Sequence, residues 1–168
     1  MKNEQIGECK VNMRIEELDF NKVVTEDLIE LNLQGTTKEE VLNELTNLLF
    51  KNGCISNKEG FIRDVMFREN EGVTGLEKGV AIPHGKSKHV LKTSIAIGRT
   101  NKFVEWESLD GNPINIIILF AVKDTDKTTI HIKLLQKVAV LLADEETISK
   151  FQTLQTKKEF LKILTEKD

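Results

Sequence analysis

Residues 114–122 read Ile-Asn-Ile-Ile-Ile-Leu-Phe-Ala-Val, an apolar run broken only by Asn115 and rich in β-branched side chains. The run is too short to cross a bilayer, which takes about 20 residues as a helix. It is also too continuous for a strand with one wet face. It requires a strand buried on both sides, and therefore a sheet whose two faces are covered by helices. The rest of the chain has to supply those helices.

On the N-terminal side, residues 28–33 (Leu-Ile-Glu-Leu-Asn-Leu) form an expected first strand, with a turn at Gly35. Thr36 or Thr37, followed by Glu39 or Glu40, offers a helix cap. Val41, Leu42, Leu45, Leu48 and Leu49 then make a helical stripe that Asn52-Gly53 stops. Ser56 and Glu59 repeat the capping pattern before a helix with Phe61, Ile62, Val65 and Met66 on one face and Arg68-Glu69 at its end. A Gly-punctuated loop follows over 70–78. On the C-terminal side, Thr128 or Thr129 starts a helix striped by Ile130, Leu134, Leu135, Val138, Leu141 and Leu142, and shorter helices are expected over 147–154 and from Thr156 onward. Residues 93–97 and 103–106 are expected as two further strands, with a turn at Asp110-Gly111.

The expected fold class is α/β: a single-domain three-layer sandwich, its mixed β-sheet flanked by helices on both faces. A chain of 168 residues accommodates one full core, and two would be cramped. Residues 1–14 are polar and mixed, and read as an N-terminal extension of a domain over 15–168.

A formal charge of −3 leaves no broad basic footprint, which argues against nucleic acid or an acidic membrane surface as a partner. The two cysteines, Cys9 and Cys54, have no CxxC spacing and no signal-like apolar segment ahead of them. That composition fits a reduced, cytoplasmic setting and no disulfide scaffold.

The chemistry concentrates in three places. Residues 79–85 (Gly-Val-Ala-Ile-Pro-His-Gly) put His84 on a Pro-Gly-flanked turn directly after a short apolar strand. Pro83 fixes its own φ and biases Ile82 towards extended backbone, so an imidazole is presented at a strand end. Imidazole suits nucleophilic or acid-base work near neutral pH. His131 lies in the first turn of the helix after the long apolar strand, where unpaired N–H groups and the macrodipole favour anions. Arg68 adds a guanidinium for phosphate oxygens. Spacing alone also allows a hydrogen-bonded structural His84, a His131 that packs on the strand end and an Arg68 that is a solvated helix-end cation. His89, in Lys86-Ser87-Lys88-His89, reads as a solvated basic rim, and Cys54 as a small buried hydrophobe.

Four matches in order, Arg68-Glu69, Thr74-Gly75, residues 79–85 and residues 131–135 (His-Ile-Lys-Leu-Leu), resemble the signature of type-2 enzyme IIA domains. These are the fructose/mannitol-class phosphocarriers of the bacterial phosphoenolpyruvate-dependent sugar phosphotransferase system. The resemblance runs from about residue 20 to the C-terminus. It implies a phosphotransferase in which His84 accepts a phosphoryl group on Nε2 from the carrier protein HPr and passes it to a IIB domain, usually to a cysteine. The membrane IIC domain is reached only indirectly. By the same resemblance His131 positions or stabilises the phosphoryl group and Arg68 stabilises it, with no cofactor and no metal. An apolar collar including Val80 and Ile82 is expected to let partners seal the site.

Within that class, residues 104–111 (Val-Glu-Trp-Glu-Ser-Leu-Asp-Gly) are similar to fructose-type members and to nitrogen-type regulatory ones, and the Trp106 to Leu109 stretch favours sugar transport. The alternative is a nitrogen-type regulatory IIA that signals by its phosphorylation state. Two readings of another kind are a metal site of His84, His89 and His131 with or without a cysteine or acid, which lacks the tight local spacing of a zinc motif, and a degenerate interaction module that is never phosphorylated.

Overall fold

The computed structural model describes residues 20–126 and 128–166, so the extension proposed over 1–14 lies outside the described residues. After a 3-10 turn at Glu26–Leu28 come β1 (Ile29–Leu33), α1 (Lys38–Lys51), α2 (Lys58–Glu69), β2 (Val80–Ala81), β3 (His84–Ser87), β4 (Ser94–Val104), β5 (Ile114–Lys123), α3 (Thr128–Leu142), α4 (Glu145–Thr153) and α5 (Lys157–Thr165). The sheet runs β1, β4, β5, and the far edge of β5 carries β2 and then β3. β4 is antiparallel to β5, and the other pairings are parallel.

Every residue of β5 except Lys123 is buried. Ile117, Leu119 and Ala121 pack on one face with Leu42, Leu45, Phe61 and Val65 of α1 and α2. Ile116, Ile118, Phe120 and Val122 pack on the other with Leu134, Val138, Phe151 and Phe160 of α3, α4 and α5. Strand alternation therefore sends neighbouring side chains into two separate cores, and the three-layer sandwich with a mixed sheet is the observed fold. Among the described residues no helix is long and apolar enough to cross a membrane.

Local chemistry sets the boundaries. Thr37 caps α1 by accepting from Glu40 N–H, while the Glu40 carboxylate reaches back to Thr36. At α2 the expectation shifts by one residue: Asn57 is the cap, accepting from Gly60 N–H, because both N–H and hydroxyl of Ser56 donate to the His89 carbonyl. Asp144 and Thr156 cap α4 and α5. The two strands expected over 93–106 are one strand, β4, whose register on β5 jumps between Arg99 and Val104. That irregularity absorbs the polar residues 99–102 and lets Val104 return to the core.

Candidate functional site

The site begins where β2 stops. Val80 and Ala81 pair with Ile116 and Ile117, and His84 to Ser87 then pair with Phe120 to Lys123, in the same register across the gap. Ile82 and Pro83 interrupt the ladder without inserting a residue. Pro83 has no N–H to give, and Ile82 N–H turns away to the Thr74 carbonyl at 2.9 Å. The Pro83 carbonyl still accepts from Phe120 N–H at 3.0 Å, so the jog is tied on both sides. Behind it α2 lies close on β3: a Cβ on Gly85 would stand 2.8 Å from Val65 Cγ2. Only glycine permits that approach, which brings the end of α2, and with it Arg68, to the same place.

The loop before β2 is also anchored. Lys78 and Gly79 take positive φ values of 60° and 83°. Lys78 N–H donates to Asp110 Oδ2 at 2.9 Å, and this main-chain bond is the chief reason the Asp110 carboxyl is lowered to about 2.

His84 Nδ1 sits 3.1 Å from the Ile82 carbonyl. A carbonyl can only accept, so Nδ1 carries the ring proton and Nε2 keeps its lone pair. The His131 ring lies edge-on to it, with centroids 5.1 Å apart and planes at 68°. His131 Nε2 is buried and has no hydrogen-bond partner. Arg68 donates to the Gly72 carbonyl at 3.4 Å, and its charge acts on both imidazoles. Three residues far apart in sequence thus meet at one point between the end of α2, the β2–β3 jog and the start of α3.

Both histidines hold their protons less tightly than a free imidazole. Burial is the main cause for His84, with the Ile82 hydrogen bond opposing it and Arg68 and Glu69 pulling in opposite senses. Burial also leads for His131, followed by repulsion from His84, Lys86 and Arg68. The sign for stability follows from linkage: the unfolded chain binds more protons than the folded one as pH falls below about 6.5. We therefore expect the free energy of unfolding, measured in urea, to drop between pH 7 and pH 5, and the drop to shrink in His84→Ala. An equal drop in both proteins would remove His84 from the effect.

The remaining expectations fall elsewhere. His89 is half-buried, not a solvated rim: its ring lies flat against α2, where a Cβ on Gly60 would come within 2.3 Å of Nε2. It packs and does not join the other two. No group of three or more His, Cys, Asp or Glu residues fit to hold a metal occurs among the described residues. Val80 is fully buried in the core and cannot contribute to an apolar collar, and Ile82 is half-buried. Among exposed apolar residues, Phe67 and Ile132 are chain neighbours of Arg68 and His131. Sequence reasoning gave no role to Lys38, whose ammonium lies 2.6 Å from Glu69 Oε2. A lysine in a first helical turn carries no signal that would have singled it out.

Comparison with known proteins bears on this arrangement. The PTS system fructose-specific EIIABC component of Bacillus subtilis is 30% identical over 151 residues, covering 90% of this chain but only 24% of that protein. The crystal structure of nitrogen regulatory protein IIA-Ntr from Neisseria meningitidis superposes with a TM-score of 0.80 at 27% identity, over 86% of this chain and 97% of that one. The complex of enzyme IIAMTL and phosphorylated enzyme IIBMTL from Escherichia coli shares the fold at a TM-score of 0.71 and 24% identity, over 84% of this chain and 96% of that one. The family described as phosphoenolpyruvate-dependent sugar phosphotransferase system, EIIA 2, matches residues 22–167, a span that holds α1 to α5, β1 to β5 and the paired histidines. The chain therefore belongs to the type-2 enzyme IIA family of phosphotransfer proteins.

Proposed function

We propose that this protein is a cytoplasmic phosphocarrier in which His84 accepts a phosphoryl group from phospho-HPr and passes it to a IIB domain, for phosphorylation-coupled uptake of a fructose-like sugar. The observation that carries the reading is the pairing of a proton-fixed His84 Nδ1 with the buried, unpartnered Nε2 of His131 beside it.

In this scheme the lone pair on His84 Nε2 attacks phosphorus in line. The N–P bond of the donor phosphohistidine breaks and its electron pair returns to the donor ring. The Nδ1 proton stays where it is, shared with the Ile82 carbonyl, so the phosphorylated ring is an imidazolium and a good leaving group for the next transfer. A thiolate of the IIB domain then attacks, the Nε2–P bond breaks and the original tautomer is restored. Arg68 grips phosphoryl oxygens with its fork, and His131 donates from Nε2 to another. The depressed proton affinity of both rings keeps the nucleophile neutral at physiological pH.

Arg68→Lys should slow phosphoryl acceptance by roughly 10- to 100-fold, the equivalent of one charge-assisted hydrogen bond of about 1.5–3 kcal/mol, because a point charge cannot reproduce the fork. Rapid-quench labelling from phospho-HPr measures this, and a wild-type rate would mean that Arg68 does not hold the phosphoryl group.

The fructose-specific relative favours sugar transport. The fold likeness to nitrogen regulatory protein IIA-Ntr keeps a second reading open, in which the same histidine reports phosphorylation state to regulatory partners. Reconstitution with phosphoenolpyruvate, enzyme I, HPr and a fructose-type IIB domain separates the two. Label that moves from this protein to a IIB cysteine supports transport. Label that stays on this protein with fructose- and mannitol-type IIB domains alike turns the reading to regulation.

A further inference from the structure

Next to Arg68 stands an acid whose burial the transfer scheme leaves unexplained. The Glu69 side chain is only 2% exposed. Its Oε2 lies 2.6 Å from Lys38 Nζ, and its Oε1 accepts from the Thr74 hydroxyl. That hydroxyl in turn accepts from Trp106 Nε1 at 3.4 Å, and the Lys38 ammonium lies 5.1 Å from the Trp106 ring centroid. Thr74 is thus gripped through its side chain by Glu69 of α2 and Trp106 of the segment after β4, and Lys38 of α1 holds both of those in turn.

The main chain of Thr74 carries this grip to the nucleophile. Its carbonyl accepts from Ile82 N–H at 2.9 Å, the bond that replaces the sheet ladder at the jog. The carbonyl of the same Ile82 fixes His84 Nδ1. On the other side, Pro83 has a locked φ and its carbonyl is held by Phe120 N–H. The Ile82 carbonyl is therefore aimed by two anchors, one on β5 and one on Thr74.

Stability alone is a poor reason for such an arrangement. Glu69 gives up its water for a lysine whose own side chain stays a quarter exposed, and apolar replacements for a buried charge are often as stable. A buried carboxylate tied to a lysine, one residue from the arginine of the proposed site, is better explained by what it holds in place.

We infer that Glu69, paired with Lys38, is a positioning residue that acts through Thr74 and Ile82 to fix the tautomer and aim of His84. The inference rests on the proposed role of His84 only for its consequence in transfer; the tautomer itself is a property of the unphosphorylated protein.

The test uses the full chain in two measurements. The first is the imidazole nitrogen spectrum of the 15N-labelled, unphosphorylated protein near pH 8, where His84 should appear in wild type as the Nδ1–H tautomer. Thr74→Val keeps the volume and removes the hydroxyl, so His84 should shift towards a mixture of tautomers, and Thr74→Ser should restore the wild-type spectrum. Lys38→Met, which leaves Glu69 unpaired, should shift it in the same direction. Glu69→Gln retains an acceptor for Thr74 and serves if Thr74→Val or Lys38→Met fails to fold; it should show a smaller shift in the same direction. The second measurement is phosphoryl acceptance from phospho-HPr, which should fall roughly 10-fold or more in Thr74→Val and recover in Thr74→Ser. Folded variants that keep the wild-type tautomer and rate would overturn the inference. A tautomer shift in a protein whose wild type takes no phosphate would support the positioning and contradict the carrier reading.

Discussion

His84→Ala is expected to fold as the wild type does and to accept no phosphoryl group, a loss of at least about 1000-fold when the attacking atom itself is removed. The fold should tolerate the change because the ring is only half-buried and makes one intramolecular hydrogen bond, to the Ile82 carbonyl, worth about 1 kcal/mol. In the proposed scheme His131 does not take over, because it acts on a phosphoryl group delivered to the neighbouring ring. Labelling from phospho-HPr, with circular dichroism to check the fold, measures the effect. Labelling at the wild-type rate would remove His84 as acceptor, and label transferred to His131 would reverse the roles of the two histidines.

The second large effect is on stability. Phe120 is fully buried at the centre of β5, opposite His84 in register and packed in the core formed with α3, α4 and α5. Phe120→Ala should cost about 3–5 kcal/mol, through lost burial and the cavity left behind. That is a large share of the roughly 5–15 kcal/mol that holds a domain of this kind together. The urea midpoint should fall accordingly, with little change in slope. A loss under about 1 kcal/mol would mean that helices do not close over that face of the sheet. Because Phe120 N–H also ties the Pro83 carbonyl, the surviving folded fraction reports whether the jog depends on the core behind it.

The architecture was legible in the sequence because it rests on periodicity. The run in β5 required two covered faces, and the stripes at Val41 to Leu49 and Ile130 to Leu142 supplied them. What periodicity does not encode went astray. The polar residues 99–102 interrupt the apolar pattern, so β4 read as two strands, whereas sheet pairing carries it through a register jump. Ser56 and Asn57 are equally good caps in isolation, and only the distant His89 carbonyl decides between them. Val80 reads as a rim residue in the sequence because two residues of strand do not reveal that both faces are covered. At the site, Arg68, His84 and His131 could be grouped from the family resemblance, while spacing left each with an ordinary structural reading. The Lys38, Glu69, Thr74 and Trp106 network joins α1, α2 and two loop segments by contacts with no local signature, and it emerged only from the fold.

Whether His84 Nε2 carries the phosphate can be read from nitrogen and phosphorus NMR of the 15N-labelled protein after incubation with phosphoenolpyruvate, enzyme I and HPr. A carrier of the proposed kind shows a single phosphorus coupled to Nε2 of His84, with the proton retained on Nδ1. Phosphorus on Nδ1 of His84, on His131, or on neither ring would contradict it.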